Sequence, residues 1–249
     1  MTNRCQSSAA LQAQHTIQSL ELKVGDHQVH YLRAGNGPPV VLLHGGASDC
    51  RDWLGTIAIL SHSYSLYAPD LIGFGLSSRD NSGYHLSDFA EFTLGFIQTL
   101  GLNSPVLVGH SLGGRVCLEI ALRHSEMIRR LVLVNTAGFG RLTRWGIFLG
   151  TAIWAMRKIL RRPQPYPKFL WKDSEDKDWL CLEELPTLKI PTLIVWNRHD
   201  PYHPLGEALR AKELIPESYL EVFPGYGHAP HVKKSDHFSS LLLSFMERE

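Results

Sequence analysis

The sequence predicts an α/β protein: a mostly parallel, twisted sheet with helices on both faces. Two observations carry this. Short continuous apolar runs recur along the chain at Val40–Leu43, Val106–Val108, Leu131–Val134 and Pro191–Trp196, as expected of strands buried on both faces of a parallel sheet. Between them lie segments with apolar residues at helical spacing, such as Phe89, Phe92, Phe96 and Ile97, or Val116, Cys117, Ile120 and Ala121. Strands alternating with helices imply parallel pairing with right-handed crossovers.

Composition narrows the class. The chain has 249 residues, 44% hydrophobic and 20% charged, which suits a folded domain that buries a large core without staples. A formal net charge of +1 excludes a dedicated nucleic-acid binder, which carries a basic excess. The four cysteines, Cys5, Cys50, Cys117 and Cys181, form no CxxC pair and no metal-ligand spacing, so they read as reduced thiols in a cytoplasmic protein. Cys117 falls on the core side of its helix. Residues 1 to 14 are mostly polar or small and do not read as a signal peptide. No stretch reaches the ~20 apolar residues of a membrane span.

Taken in order, Leu20–Val24 and Val29–Leu32 alternate apolar with polar residues around Gly25-Asp26. They predict a hairpin of half-buried strands at a sheet edge. The Val40–Leu43 strand ends in His44-Gly45-Gly46. A helix is expected from about Asp52 to Leu60, and a strand over Ser65–Ala68 that runs into Pro69-Asp70 and a Gly-Phe-Gly-Leu-Ser turn. Ser87-Asp88 reads as the start of a helix extending to about Leu100. After Leu131–Val134 the rhythm breaks. The segment of about 138–189 holds Trp145, Phe148, Trp154, Trp171 and Trp179, the basic group Arg157, Lys158, Arg161 and Arg162, the prolines Pro163, Pro165 and Pro167, and acidic residues from Asp173 to Asp178. It reads as a helical excursion between two strands of one domain spanning residues 1–249. The strand pattern resumes at Pro191–Trp196, followed by a helix over Pro204–Leu214, a strand over Tyr219–Phe223 and a closing amphipathic helix at 235–247.

The chemistry centres on Gly109-His110-Ser111-Leu112-Gly113, lodged between the Val106–Val108 strand and a helix. Ser111 is thereby held on a strand–turn–helix corner. Glycines two residues before and after it let strand and helix backbones approach, and the Leu112 N–H lies at a helix start, where it can stabilise an anion. A serine nucleophile needs a base, and the base an orienting acid. His228 follows the last strand in a glycine-flanked loop, and Asp200 follows the strand ending at Trp196. Both fall where ligand sites of open parallel sheets lie, at the carboxyl ends of strands.

With this elbow, and with the order Ser111, Asp200, His228, the sequence resembles the α/β-hydrolase superfamily in its serine-nucleophile, esterase- and lipase-like branch. The resemblance covers nearly the whole chain and is weakest over residues 140 to 185. It implies an eight-stranded, mostly parallel sheet with a short helical cap at about 138–189. It also implies a catalytic triad of Ser111, Asp200 and His228, the last in a Gly227-His228-Ala229-Pro230 context, and an oxyanion hole from the N–H groups of Gly46 and Leu112. His231, three residues after His228, is the competing histidine. His44 is expected to support the oxyanion loop, and Asp70 to belong to a structural turn. His110, Trp145, Phe148 and Trp154 are the candidate pocket residues, with packing or orienting of the elbow as the alternative for His110 and gluing of the cap to the core as the alternative for the aromatics.

The implied activity is hydrolysis of small to medium carboxylic esters through an acyl-enzyme, without cofactor or metal, by a monomer or homodimer. The substrate is a small ester or ketone-type molecule with an apolar part. Three alternatives stand beside it. The His44-Gly45-Gly46-Ala47 start is similar to that of meta-cleavage-product hydrolases, which cut a C–C bond with the same triad, although His110 stands where that family typically has asparagine. A cofactor-free perhydrolase and a non-enzymatic ligand receptor use the same fold. The segment from Trp145 to Leu160 has an alternative reading as a peripheral contact with a lipid surface.

Overall fold

The computed structural model describes residues 16–79, 84–160 and 180–248. Eight strands form one sheet: β1 (Gln18–Val24), β2 (His27–Ala34), β3 (Pro39–Leu43), β4 (Ser65–Pro69), β5 (Val106–His110), β6 (Arg130–Val134), β7 (Thr192–His199) and β8 (Ser218–Tyr226). Their spatial order is β1-β2-β4-β3-β5-β6-β7-β8. β1 and β2 form the expected antiparallel hairpin, β2 runs antiparallel to β4, and every later pairing is parallel.

The apolar runs divide by parity. Val41, Leu43, Leu107, Leu131, Leu133, Ile194 and Trp196 feed one core, whereas Val40, Leu42, Val106, Val108, Val132, Val134, Leu193 and Val195 feed the other. Successive strand residues point to opposite faces, so a strand buried on both sides must be apolar throughout. Helices α2 (Leu86–Thr99), α3 (Leu112–Arg123) and α5 (Leu205–Leu214) cover the first face, through residues such as Phe89, Phe96, Val116, Ile120 and Ala211. Helices α1 (Leu54–Leu60) and α7 (Ser235–Met246) cover the second with Ile57, Leu60, Phe238 and Leu242. Each of the larger of these side chains contributes about 1.5–3 kcal/mol of burial. Cys117 lies in the first core, fully buried.

Several boundaries differ from expectation, each for a local reason. A 3-10 turn at Cys50–Trp53 precedes α1, started by Asp49, whose side chain accepts the Arg51 N–H. Helix α2 begins at Leu86, one residue before the Ser87-Asp88 signal. His85 takes the cap position, and its N–H donates to Asp88 at 2.7 Å, so Asp88 caps from inside the first turn. A short helix, α6 (Pro230–Lys233), precedes α7.

Within the proposed cap, α4 (Arg144–Ile159) starts at Thr143, whose Oγ1 accepts the Gly146 N–H at 2.8 Å. Trp171, Trp179, Arg161, Arg162, the proline cluster and the acidic run lie outside the described residues, as does Cys5. No helix among the described residues is long and apolar enough to cross a membrane.

Candidate active site

Ser111 sits at the junction of β5 and α3 with φ 51° and ψ −112°, a conformation that costs a non-glycine residue about 1–3 kcal/mol and is kept where the surroundings enforce it. The flanking glycines show what enforces it. A Cβ at Gly109 would lie 2.3 Å from the Gly113 carbonyl oxygen, and one at Gly113 would lie 2.4 Å from that of Leu43. Strand and helix therefore meet backbone to backbone, and the serine is lifted between them.

The oxyanion loop is tied down by His44. Its Nδ1–H donates to the Gly45 carbonyl at 2.8 Å, and its Nε2 accepts the Leu71 N–H at 2.9 Å. Burial pushes this imidazole below its ordinary pKa, against the pull of that carbonyl and nearby carboxylates. Gly46 faces the elbow, since a Cβ built on it would stand 4.0 Å from Leu112 Cβ and Cδ2. Gly46 itself is not in the left-handed region; the left-handed residue of this loop is Ala47, at φ 65°. Glycine is needed instead at Gly45, where a Cβ would press to 2.7 Å from His110 Nδ1 and 3.2 Å from Ser111 Cβ.

Asp200 Oδ2 lies 2.7 Å from His228 Nδ1. A carboxylate only accepts, so Nδ1 carries the hydrogen and Nε2 presents a lone pair. The Asp200 side chain is fully covered, and that of His228 is 19% exposed. Burial alone would raise the Asp200 pKa; the bond from His228, its charge, the Tyr202 N–H and Asn135 outweigh it and hold the carboxyl down. His228 is lowered by burial, with Asp200 opposing. No hydrogen bond joins Ser111 Oγ to His228 among the described residues, a link that commonly tightens only when substrate binds.

Sequence reasoning missed the residues that hold Asp200. Its Oδ1 accepts the N–H groups of Tyr202 (2.7 Å) and His203 (3.2 Å). Asn135, fully buried and at φ 42°, donates Nδ2 to Asp200 Oδ2, and its Oδ1 accepts the Asn197 N–H at 3.2 Å. The available signal was position: Asn135 directly follows β6, as Asp200 directly follows β7.

The other histidines separate clearly. His110 Nε2 donates to the His228 carbonyl at 2.7 Å, and the ring is buried, so it braces the loop of the candidate base. His231 is fully buried, its ring 4.2 Å from that of Trp53 and 4.6 Å from that of His110. Neither of its ring nitrogens has a partner among the described residues. Asp70 holds the turn after β4, accepting the Cys50 and Leu76 N–H groups. Trp145 and Phe148 stack on each other 5.2 Å apart and stay more than half exposed, while Trp154 lies under Lys158. None of these three lines the cavity of about 680 Å³ beside α4, which Met156, Arg157 and Leu160 line instead.

The sheet order, the elbow and the loop-borne acid and histidine define the chain as an α/β-hydrolase-fold protein. The model of the α/β hydrolase fold family matches residues 38–161. The chain is 26% identical to a 2-hydroxy-6-oxo-6-(2'-aminophenyl)hexa-2,4-dienoic acid hydrolase of Metapseudomonas resinovorans, over 91% of this chain and 90% of that one. A meta-cleavage product hydrolase structure from Pseudomonas fluorescens IP01 superimposes with a TM-score of 0.76 at 28% identity, covering 91% and 97% of the two chains. A carboxylesterase from Bacillus subtilis superimposes at 0.78 over 98% and 96%; at 21% identity it speaks for the fold alone.

Proposed function

We propose that the protein is a serine hydrolase that cleaves small to medium carboxylic esters through an acyl-enzyme. The observation that carries this reading is the 2.7 Å Asp200–His228 bond, formed between the loops after β7 and β8 beside a serine on an elbow at φ 51°. His228 Nε2 takes the Ser111 proton as the oxygen attacks the ester carbonyl. Asp200 keeps the imidazole in the tautomer that can do so and stabilises its charged form. The developing oxyanion is met by the Gly46 and Leu112 N–H groups, each such donor being worth about 3 kcal/mol in the barrier. The alcohol leaves with the proton from His228, and water activated by the same imidazole releases the acid.

A second reading is supported by the relatives' names: hydrolysis of a C–C bond beside a carbonyl, as in meta-cleavage-product hydrolases. His110, at the position before Ser111, favours the ester. Steady-state assays on p-nitrophenyl esters of graded acyl length and on a 2-hydroxy-6-oxohexa-2,4-dienoate decide between them. We expect ester turnover with Ser111→Ala lowering kcat on the order of 10⁴-fold or more. Turnover of the dienoate alone would establish the C–C reading, and turnover of neither would overturn the hydrolase reading.

A further inference from the structure

Three side chains outside the proposed triad bring metal-ligating atoms together: Asp52 from the 3-10 turn before α1, His110 from the end of β5 and His231 from α6. One ligand atom of each lies within 4.8 Å of those of the other two. Neither His110 Nδ1 nor a His231 nitrogen is hydrogen-bonded to anything among the described residues.

The two imidazoles hold buried lone pairs. His110 gives its Nε2–H to the His228 carbonyl at 2.7 Å, so in the neutral ring Nδ1 carries a lone pair. That nitrogen is buried and unpartnered. His231 is fully buried, with both nitrogens unpartnered. A neutral imidazole keeps one lone pair in either tautomer, so His231 offers one as well. Burial lowers the pKa of both rings, which holds them in the neutral form that binds metal. Polar groups buried without partners are costly. With His231 turning its lone pair inward, three acceptors converge, one more than the two hydrogens of a water molecule can meet. A cation that accepts lone pairs satisfies all three.

The outer contacts are those of a metal site. Ligating histidines generally donate their other ring N–H to a carbonyl or carboxylate, and ligating carboxylates are themselves hydrogen-bonded. His110 donates to the His228 carbonyl, and Asp52 Oδ2 accepts the Ser48 hydroxyl. Two imidazoles and one carboxylate suit Zn²⁺ and its neighbours over Mg²⁺ or Ca²⁺, which take oxygen ligands. Zinc holds such atoms at about 2.0–2.2 Å, so closing the cluster draws each inward by less than about 1 Å. Asp52 is half-buried, which gives a water access as fourth ligand.

We propose that Asp52, His110 Nδ1 and one ring nitrogen of His231 form a binding site for a zinc-class divalent cation. The ion fastens the loop of the candidate base at two points: through His110, which holds the His228 carbonyl, and through His231, three residues further along. None of its ligands belongs to the proposed triad, so the ion stiffens the site and takes no part in acyl transfer.

The untagged protein is stripped with EDTA, returned to chelator-free buffer and titrated calorimetrically with Zn²⁺, and with Mg²⁺ for comparison. We expect about one equivalent of Zn²⁺ bound at micromolar Kd or tighter, and no Mg²⁺. With Zn²⁺ at about 100 times Kd, Tm should rise by about 5 °C or more. His231→Phe keeps a ring against Trp53, and Asp52→Asn keeps the shape of the carboxylate. Each should weaken Zn²⁺ binding about 100-fold or more, beyond the loss expected of an outer contact. Thermal melts confirm that the variants are folded; because Asp52 is half-buried, D52N tests the proposal even if H231F is not. The readouts are bound metal and melting, so the outcome does not depend on the role of Ser111. No saturable Zn²⁺ binding below millimolar concentration overturns the proposal. Binding undiminished in either folded variant overturns the assigned ligand set, and binding without a rise in Tm overturns the stiffening role.

Discussion

His110 Nε2 lies 2.7 Å from the carbonyl oxygen of His228, so the residue before the candidate nucleophile holds the loop that carries the candidate base. The same ring presses on the oxyanion loop, with Nδ1 where a Gly45 side chain would sit. One imidazole thus sets the spacing of three parts of the site. Removing it in His110→Ala leaves the part-buried His228 carbonyl unpaired and opens a void, at a cost of about 1–3 kcal/mol. We expect kcat/KM on esters to fall about 10- to 100-fold, more than the loss of stability predicts. Kinetics and a thermal melt on the same sample check this; full activity would show that His110 only fills space.

Acid should destabilise the fold through its buried histidines. His231 is pushed down to about 3 by burial and by the neighbouring His228 charge, and burial likewise lowers His44, His110 and His228. In the unfolded chain each regains an ordinary value of about 6.5. Below that pH the unfolded state binds more protons than the folded one, so stability falls as pH falls. For His231 the loss runs from about pH 6.5 to about 3, at about 1.4 kcal/mol per unit. Urea midpoints should decline steadily from pH 7 to pH 4, and the decline should be shallower in His231→Phe. That variant keeps a ring against Trp53 and removes two unpaired nitrogens, so at pH 7 it should be at least as stable as the parent. A midpoint that rises on acidification would contradict the argument. The same lowering of His228 places the acidic limb of kcat/KM below the ordinary imidazole value.

Asn135 combines two roles that two variants can separate. Its amide holds Asp200, and its backbone sits at φ 42°. Asn135→Ala loses the amide and puts a methyl-bearing residue in a left-handed conformation, which costs about 1 kcal/mol or more. Asn135→Gly loses the amide but takes that conformation without steric penalty. Both should reduce kcat about 10- to 100-fold, whereas only Asn135→Ala should show a clear drop in Tm. Equal melting temperatures would mean that the backbone conformation carries no strain.

What was legible in the sequence follows from how each feature is encoded. The central strands announce themselves because burial on both faces demands unbroken apolar runs, as in Val40–Leu43, all fully covered. Ser111, Asp200 and His228 could be nominated because each lies in the turn that leaves a strand, and strand ends converge on one edge of a parallel sheet. Asn135 obeys the same rule but was passed over, since an asparagine after a strand also reads as an ordinary turn residue. The pocket role expected of Trp145 and Phe148 could not be judged from hydrophobicity, because what a helix face meets is decided by tertiary packing.

Two glycines near the elbow should respond oppositely to one added methyl group. At Gly113 the new Cβ would lie 2.4 Å from the Leu43 carbonyl oxygen and 2.5 Å from that of His44. These are backbone atoms of β3 and the oxyanion loop and cannot swing away, so Gly113→Ala should lose about 3 kcal/mol or more, or fail to fold. At Gly46 the nearest atoms are Leu112 Cβ and Cδ2 at 4.0 Å, and the residue is not in the left-handed region. Gly46→Ala should therefore fold with stability within about 0.5 kcal/mol of the parent. Its methyl group nevertheless extends from one residue assigned to the oxyanion hole toward the other, Leu112, so ester turnover should fall while the melting curve stays in place. Thermal melts and p-nitrophenyl ester kinetics on the two variants give the comparison. Unchanged turnover in Gly46→Ala would remove Gly46 from the oxyanion hole, and a melt as damaged as that of Gly113→Ala would show that the loop has no room at this position.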